Sequence, residues 1–177
     1  MHFREWLMDV SLGNDLRLYW RLFQLRERTG SRLAGDILTF LLNRMAHKRG
    51  GYIGRGARLA AVPSLPHGLH GIYISRYASI GSGCRIYQNV TIGEVGGRAP
   101  QIGDGCFIGA GAVLVGDIRI GNNVRIGAGA VVSGDVPDGC TAVAQPPRVI
   151  VRTAPVPCRR LRRRKMYFFA KFHRKIH

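Results

Sequence analysis

The sequence of 177 residues predicts a mainly β fold, a parallel β-helix preceded by a short helical segment and followed by a basic tail. From Ile102 to Val132 an aliphatic residue recurs every six positions without a slip, and glycine follows it in four of five blocks. A second column of small or aliphatic residues lies four positions after the first. A period of six matches neither the 3.6-residue period of a helix nor the alternation of a single strand. It is typical of a β-helix in which three short strands make one coil of about eighteen residues.

Residues 1–50 lack this period and are predicted to form two helices. Between residues 15 and 29 an apolar stripe recurs at helical spacing, with Asn14 as its predicted N-cap and Gly30 as its stop. Between residues 31 and 49 a second stripe runs from Leu33 to Met45 and stops at the two glycines that follow Arg49. Two helices of this length cannot bury both stripes alone, so we expect them to pack on the β-helix or on a neighbouring subunit.

Residues 51–152 carry the repeats, and the count of six breaks twice. Three extra residues separate Leu65 from Ile74, and four extra residues separate Ile92 from Ile102. Insertions in a repeat fold are displaced outward as loops at the corners, often on the binding face. The sequence therefore predicts two outward loops, at residues 67–73 and 93–101.

One edge of the predicted β-helix combines a histidine with small residues. Hexads three apart lie on one face, so the hexads beginning at Leu65, Ile86, Ile108 and Ile126 should stack. Their third residues should then form one column, consisting of His67, Gln88, Ala110 and Ala128. Since neighbouring coils are about 4.8 Å apart, this column is suited to a slender ligand with its reactive end at His67.

Charge is concentrated in residues 153–177, a basic aromatic tail in which residues 158–177 hold nine basic side chains and no acidic one. Such a segment suits contact with an anionic membrane surface, or is a solvated tail that aids solubility. Nucleic acid would be attracted by the same charge, but we do not expect it as a partner. No secretory signal or bilayer-spanning run is expected. A cytoplasmic protein, with peripheral contact at the inner face of the membrane through residues 158–177, is predicted.

The four cysteines have neither zinc-binding nor redox spacing, and no metal is expected. Cys84 and Cys106 both occupy the small inward position of their hexads. We expect them to be buried reduced thiols that serve as small apolar residues.

Several stretches resemble a known family. They are LPHGLHGIYIS, IGSGCRIYQNVTIG, the repeats from Ala99 to Cys140, and PPRVI, which together span about half the chain. The chain resembles the left-handed β-helix acyltransferases with hexapeptide repeats, in the serine acetyltransferase-like branch. The resemblance implies homotrimers with active sites between subunits, acetyl-CoA as the donor, and a hydroxyl group as the acceptor.

The resemblance also implies roles for particular residues. The family's catalytic histidine falls on His67 as general base, and His70 is its rival because this loop is one residue longer than in serine acetyltransferases. A base with a pKa near 6.5 suits removal of a hydroxyl proton, and a backbone N–H or an amide such as Gln88 or Asn89 would meet the oxyanion. The residues expected to bind acetyl-CoA are Gln88, Gly93, Gly97, Arg98, Ala110, Ala128 and Arg148, with the two arginines at its phosphates.

Departures from the serine acetyltransferases decide the predicted acceptor. Those enzymes have Asp where this chain has Pro66, a second histidine where it has Ala99, and a larger helical N-terminal domain. A short leader and a PHG loop are similar to acetyltransferases of cell-surface polysaccharide pathways. The prediction is therefore acetyl transfer to a sugar hydroxyl. Serine O-acetylation is the first alternative, and a non-catalytic trimeric scaffold or a membrane or nucleic-acid binder is the second.

Overall fold

The computed structural model describes residues 15–145. Two helices come first, α1 at Arg17–Arg28 and α2 at Arg32–His47. The Asp15 carboxylate accepts the Arg17 amide at 3.1 Å and its guanidinium at 2.8 Å. These bonds lower the pKa of Asp15 to about 2. The predicted cap, Asn14, lies outside the described residues, whereas Ser31 caps α2 by accepting the Ala34 amide at 3.4 Å.

Thirteen short strands follow within the described residues, and all of their pairings are parallel. The strands are β1 Tyr52–Ile53, β2 Arg58–Leu59, β3 Tyr73–Ile74, β4 Ser79–Ile80, β5 Arg85–Ile86, β6 Thr91–Gly93, β7 Gln101–Ile102, β8 Phe107–Ile108, β9 Val113–Val115, β10 Arg119–Ile120, β11 Arg125–Ile126, β12 Val131–Val132 and β13 Thr141–Ala142.

The strands form three sheets that the chain visits in turn. Sheet A contains β1, β3, β6, β9 and β12; sheet B contains β2, β4, β7 and β10; and sheet C contains β5, β8, β11 and β13. Successive strands of one sheet are one coil apart, which is the topology of a parallel β-helix. The predicted fold class is confirmed.

The hexad count correctly predicts the strand register. Ile74 pairs with Ile92 in sheet A, and Ile92 pairs with Leu114. Ile86 pairs with Ile108 in sheet C, and an isolated bridge between Ser64 and Arg85 places Leu65 on the same sheet. Because the first residue of each hexad points inward, these side chains form the core, and most of them are less than 5% exposed.

The two helices bury their apolar stripes unequally. Tyr19 and Phe23 of α1 are buried as predicted, and Leu42 of α2 is 1% exposed. Leu33 of α2, however, is 72% exposed and Ile37 is 53% exposed. Within one chain α2 turns Leu42, Gly35 and Ala46 inward and leaves Leu33 and Ile37 exposed. That a neighbouring subunit covers this part of the second stripe stays a prediction.

The turns between sheets B and C are held by a ladder of polar side chains. Asp104 accepts the amide of Ser82 at 2.6 Å, Asn122 accepts that of Asp104 at 2.9 Å, and Asp138 accepts that of Asn122 at 2.8 Å. Each side chain thus caps a backbone N–H one coil away. These hydrogen bonds lower the pKa of Asp138.

Cys84 and Cys106 lie in the core of adjacent coils, each about 1% exposed and with no disulfide. The hydrogen bond shared with Cys84, together with burial, raises the pKa of the Cys106 thiol. The prediction of buried reduced thiols is confirmed for both residues.

Candidate active site

The edge that leads from sheet C to sheet A, here called the C–A edge, carries the predicted column. The amide of Gly111 donates to the carbonyl of Gln88 at 3.0 Å, and that of Gly129 donates to Ala110 at 2.9 Å. The amide of Asn89 donates to His70 at 2.9 Å in the same pattern. The described column is therefore His70, Gln88, Ala110 and Ala128.

The prediction that His67 heads this column is wrong, although it is correct for Gln88, Ala110 and Ala128. The three inserted residues lie between Leu65 and His70. The repeat position of His70 is therefore set by the strand that follows the loop, not by the hexad that begins at Leu65. The Gly68 amide donates to the Leu65 carbonyl at 3.0 Å, which turns the chain outward at His67. Leu69 is fully buried and anchors the loop.

His67 lies instead against an aromatic ladder on the outside of sheet C. The ring centroids of His67 and Tyr87 are 5.7 Å apart, and those of Tyr87 and Phe107 are 5.2 Å apart. The guanidinium of Arg125 lies 4.9 Å from the centroid of Phe107. No role was predicted for Tyr87 from the sequence, although it lies in the stretch IGSGCRIYQNVTIG, and its position directly before Gln88 was the available signal.

Both histidines of the loop are exposed. Neither His67 nor His70 has a side-chain hydrogen bond to another described residue, so each imidazole is accessible to a ligand. Gln88 differs, because its Oε1 atom is buried and has no hydrogen-bond partner among residues 15–145. A buried acceptor without a partner is costly, and an N–H or O–H donor of a ligand at this edge would satisfy it.

The small residues below Gln88 leave an open lane along the edge. A methyl group added at Gly111 or Gly129 would meet no atom within 4 Å, so both turns face free space. At Gly109, in contrast, an added Cβ would lie 2.6 Å from the Ala128 amide nitrogen, which shows how closely the two coils stack. A slender substrate arm can therefore lie against Ala110 and Ala128.

The second predicted loop, residues 93–101, is a compact hairpin at the edge from sheet A to sheet B, here called the A–B edge. Val95 and Arg98 exchange backbone hydrogen bonds of 2.8 and 3.1 Å across Gly96 and Gly97, both of which have positive φ. The Arg98 guanidinium pairs with Asp117 at 2.7 Å, with both side chains more than half exposed. At the base of the hairpin, the hydroxyl of Ser75 donates to Glu94 at 2.5 Å.

The predicted site residues are thus divided between two edges. His67, His70, Gln88, Ala110 and Ala128 lie at the C–A edge. Gly93, Gly97 and Arg98 lie at the A–B edge, on the far side of sheet A. One chain alone does not bring the two groups together, and Arg148 lies outside the described residues.

A groove of about 500 Å³ lies elsewhere, between α1 and sheet B. Its lining includes Phe23, Leu59 and Ile80 but neither histidine. Residues 15–145 contain no group of three or more His, Cys, Asp or Glu side chains able to hold a metal, and none of their helices is long and apolar enough to cross a membrane.

Comparison with known proteins identifies the class first. Residues 99–134 match the bacterial transferase hexapeptide model of six repeats. The structure of Neisseria gonorrhoeae serine acetyltransferase in complex with serine has a TM-score of 0.60 and 36% sequence identity, over 72% of this chain and 54% of that chain. The chain therefore carries the hexapeptide repeats of this transferase family over residues 99–134 and shares the β-helix fold of this acetyltransferase.

Among the proteins that the chain resembles in sequence are serine acetyltransferases. That of Synechococcus elongatus is 46% identical over 102 residues, which are 55% of this chain and 41% of the relative. That of Staphylococcus epidermidis is 33% identical over 134 residues, 73% of this chain and 59% of the relative. The chain spans about half the length of these relatives.

These similarities correct the predicted acceptor. The prediction of a sugar hydroxyl in cell-surface polysaccharide biosynthesis is wrong, since the similar sequences and structures are serine acetyltransferases. That prediction gave weight to single positions such as Pro66 and Ala99. The similarity over some hundred residues favours the first alternative instead.

Proposed function

We propose that this chain is an acetyl-CoA-dependent serine O-acetyltransferase. The observation that carries the proposal is its similarity, in sequence and in fold, to serine acetyltransferases. One of these was solved in complex with serine. The accessible histidines and the lane of small residues at the C–A edge supply a base and a surface for the donor.

The reaction requires a base for the serine hydroxyl. In the proposed mechanism the imidazole of His67, or of its rival His70, takes the hydroxyl proton as the serine oxygen attacks the thioester carbon. The tetrahedral intermediate then collapses with breakage of its C–S bond, and the departing thiolate of CoA takes up the proton that the imidazolium received from serine. A positioned base of this kind contributes roughly 10²- to 10⁴-fold, and holding both substrates together contributes much of the remainder.

Acetyl-CoA would lie along the C–A edge. Its pantetheine arm carries amide N–H groups, which are the donors that the unpartnered Oε1 of Gln88 lacks. Ala110 and Ala128 leave room for the arm. Arg98, an exposed guanidinium, would supply positive charge for the phosphates.

The division of the site between two edges supports a homotrimer with active sites between subunits. In a cyclic trimer the C–A edge of one subunit can face the A–B edge of the next. Arg98 of one chain would then share a site with the histidine loop of its neighbour. Light scattering would test the assembly, with three chains of 19.5 kDa expected.

The activity is tested by measuring CoA release from acetyl-CoA, with serine and with simple sugars as acceptors. Serine-dependent release that is lost in the double variant His67→Ala/His70→Ala is expected. Release with sugars but not with serine would contradict the acceptor. If acetyl-CoA neither bound nor turned over, the non-catalytic scaffold would be favoured.

Shared sites are tested by co-expressing two impaired variants and measuring activity at substrate concentrations well below the wild-type KM, where a raised KM also lowers the rate. If His67→Ala and Arg98→Gln affect different edges, co-expressed chains should form trimers in which about a quarter of the sites have both edges intact. Activity near that fraction is expected. No recovery in proven mixed trimers would place both residues in a site within one chain.

A further inference from the structure

We propose that Tyr87 is a positioning residue that holds the imidazole of His67 in one orientation at the C–A edge. The inference rests on the proposed function, in which a loop histidine is the base, and it favours His67 over His70. It concerns a residue for which neither the hexad pattern nor the family resemblance gave a role.

His67, the proposed general base, lacks the hydrogen-bond partner that usually orients a catalytic histidine. A catalytic imidazole is ordinarily held by a hydrogen bond from its second nitrogen to a carboxylate or carbonyl oxygen. Pro66 precedes His67 and offers no carboxylate, and within residues 15–145 no side chain or carbonyl forms a hydrogen bond with this imidazole. Without another restraint, an exposed ring on an inserted loop would rotate freely.

The ring of Tyr87 provides that restraint. The 5.7 Å between the two ring centroids lies within the range of favourable aromatic pairs, and the interplanar angle of 56° is tilted toward an edge-to-face arrangement. Tyr87 belongs to the rigid turn after β5, where its amide donates to the Ile108 carbonyl at 3.0 Å. The fixed ring of Tyr87 can therefore orient the imidazole of His67.

The support extends two coils further along sheet C. Phe107 packs against Tyr87, and the guanidinium of Arg125 covers Phe107 on its other side. Both rings are half-buried, so their positions are set by neighbours on the sheet. His70 has no ring contact of this kind among the described residues. Because of this difference, we infer that His67 is the general base whose ring is held in one orientation.

Two substitutions separate the ring from the hydroxyl of Tyr87. Tyr87→Phe keeps the ring and should retain kcat, whereas Tyr87→Leu removes it and should lower kcat by roughly two- to tenfold. KM for acetyl-CoA should change little, because the ring acts on the base. Tyr52→Leu is the matched control, since it removes a ring from the Tyr52–Tyr73 pair on sheet A.

A second measurement does not depend on activity. In protein labelled at histidine, the imidazole resonance that disappears in His67→Gln should show a ring-current shift from Tyr87. Tyr87→Leu should remove that shift, and Tyr87→Phe and Tyr52→Leu should preserve it. Loss of the shift together with the kcat effect supports the proposal, even if the acceptor proves not to be serine.

Two results would overturn the inference. One is a His67 resonance that is the same in wild type and Tyr87→Leu, which would mean that the rings do not hold each other in solution. The other is a fall in kcat that is equal in Tyr87→Leu and Tyr52→Leu, since this would indicate a general loss of structure. A chain that shows the shift but transfers no acetyl group would refute the proposed function and leave the ring contact intact.

Discussion

The backbone amide of Asn89 donates to the carbonyl oxygen of His70 at 2.9 Å, the same bond that Gly111 forms with Gln88 one coil further on. This bond gives His70 the repeat position that leads into the lane of small residues. His67 is consequently displaced outward, where it meets Tyr87. The two histidines of one loop therefore have different surroundings, and they should respond differently to substitution.

The first prediction concerns these two histidines. His67→Ala should lower kcat by roughly 10²- to 10⁴-fold, because a general base contributes that factor. His70→Ala should retain kcat within about tenfold, with a larger change in KM. Steady-state rates of CoA release with serine measure both.

Arg28→Ala, an exposed substitution at the end of α1, is the control and should behave as wild type. A large loss of kcat in His70→Ala with His67→Ala active would reverse the assignment of the base.

The second prediction concerns Arg98. Arg98→Gln should raise the KM for one substrate by roughly tenfold to a hundredfold, since hydrogen bonds to charged groups are worth about 1.5–3 kcal/mol. An increase specific to acetyl-CoA would assign the guanidinium to the phosphates, and an increase specific to serine would assign it to the carboxylate. The melting temperature should barely change, because the pair with Asp117 is exposed.

Asp117→Asn is the matched variant for Arg98. It removes the partner and leaves the guanidinium in place, so KM should stay near the wild-type value. If both variants raised KM equally, the ion pair itself would be required for binding.

The third prediction tests the open lane. Ala128→Leu introduces a branched side chain on an exposed turn, where it should block the donor without disturbing the core. KM for acetyl-CoA should rise while the melting temperature stays close to that of wild type. Ala128→Ser adds little volume and serves as the control. Equal KM values for the two variants would mean that the donor does not follow this edge.

The fourth prediction concerns pH and the turns between sheets B and C. The bonds from Asn122 hold the pKa of Asp138 below its usual value, so the ionised carboxylate favours the folded state. This contribution should be complete above the unfolded pKa of about 3.9 and should fade as the pH falls through the lower folded value. Melting curves of wild type and Asp138→Asn, recorded between neutral pH and pH 2, should therefore converge in acid.

Asp138→Ala is the complementary variant, because it also removes the oxygen that accepts the Asn122 amide at 2.8 Å. The melting temperature of Asp138→Ala should be lower than that of Asp138→Asn at every pH. Curves that stayed parallel down to pH 2 would show that ionisation of Asp138 does not contribute to stability.

The repeats made the β-helix predictable from the sequence. Ile86 and Ile108 must both point inward, and only one register satisfies every hexad at once, so counting by six located the pairs that form. The same count identified both insertions. Gln88, Ala110 and Ala128 stack as predicted because no insertion separates them on the C–A edge.

The details of the insertions were not predictable in this way. Counting forward from Leu65 selects His67, whereas counting back from Ile74 selects His70, and the sequence does not state which strand sets the register. Similarly, Gly96 and Gly97 marked a loop but did not reveal that it closes into a hairpin with Arg98 on Asp117.

The sequence by itself determined the architecture, the core and the two loops where function was expected. The reason is that a six-residue period fixes which side chains point into the core, and any break in the period marks a loop. Only the tertiary structure decided what surrounds each histidine and separated the site residues between two edges. The physical reason is that an inserted loop has no repeat to follow. Its course depends on how the buried side chain of Leu69 fits the core and on the ring of Tyr87, which belongs to the next coil.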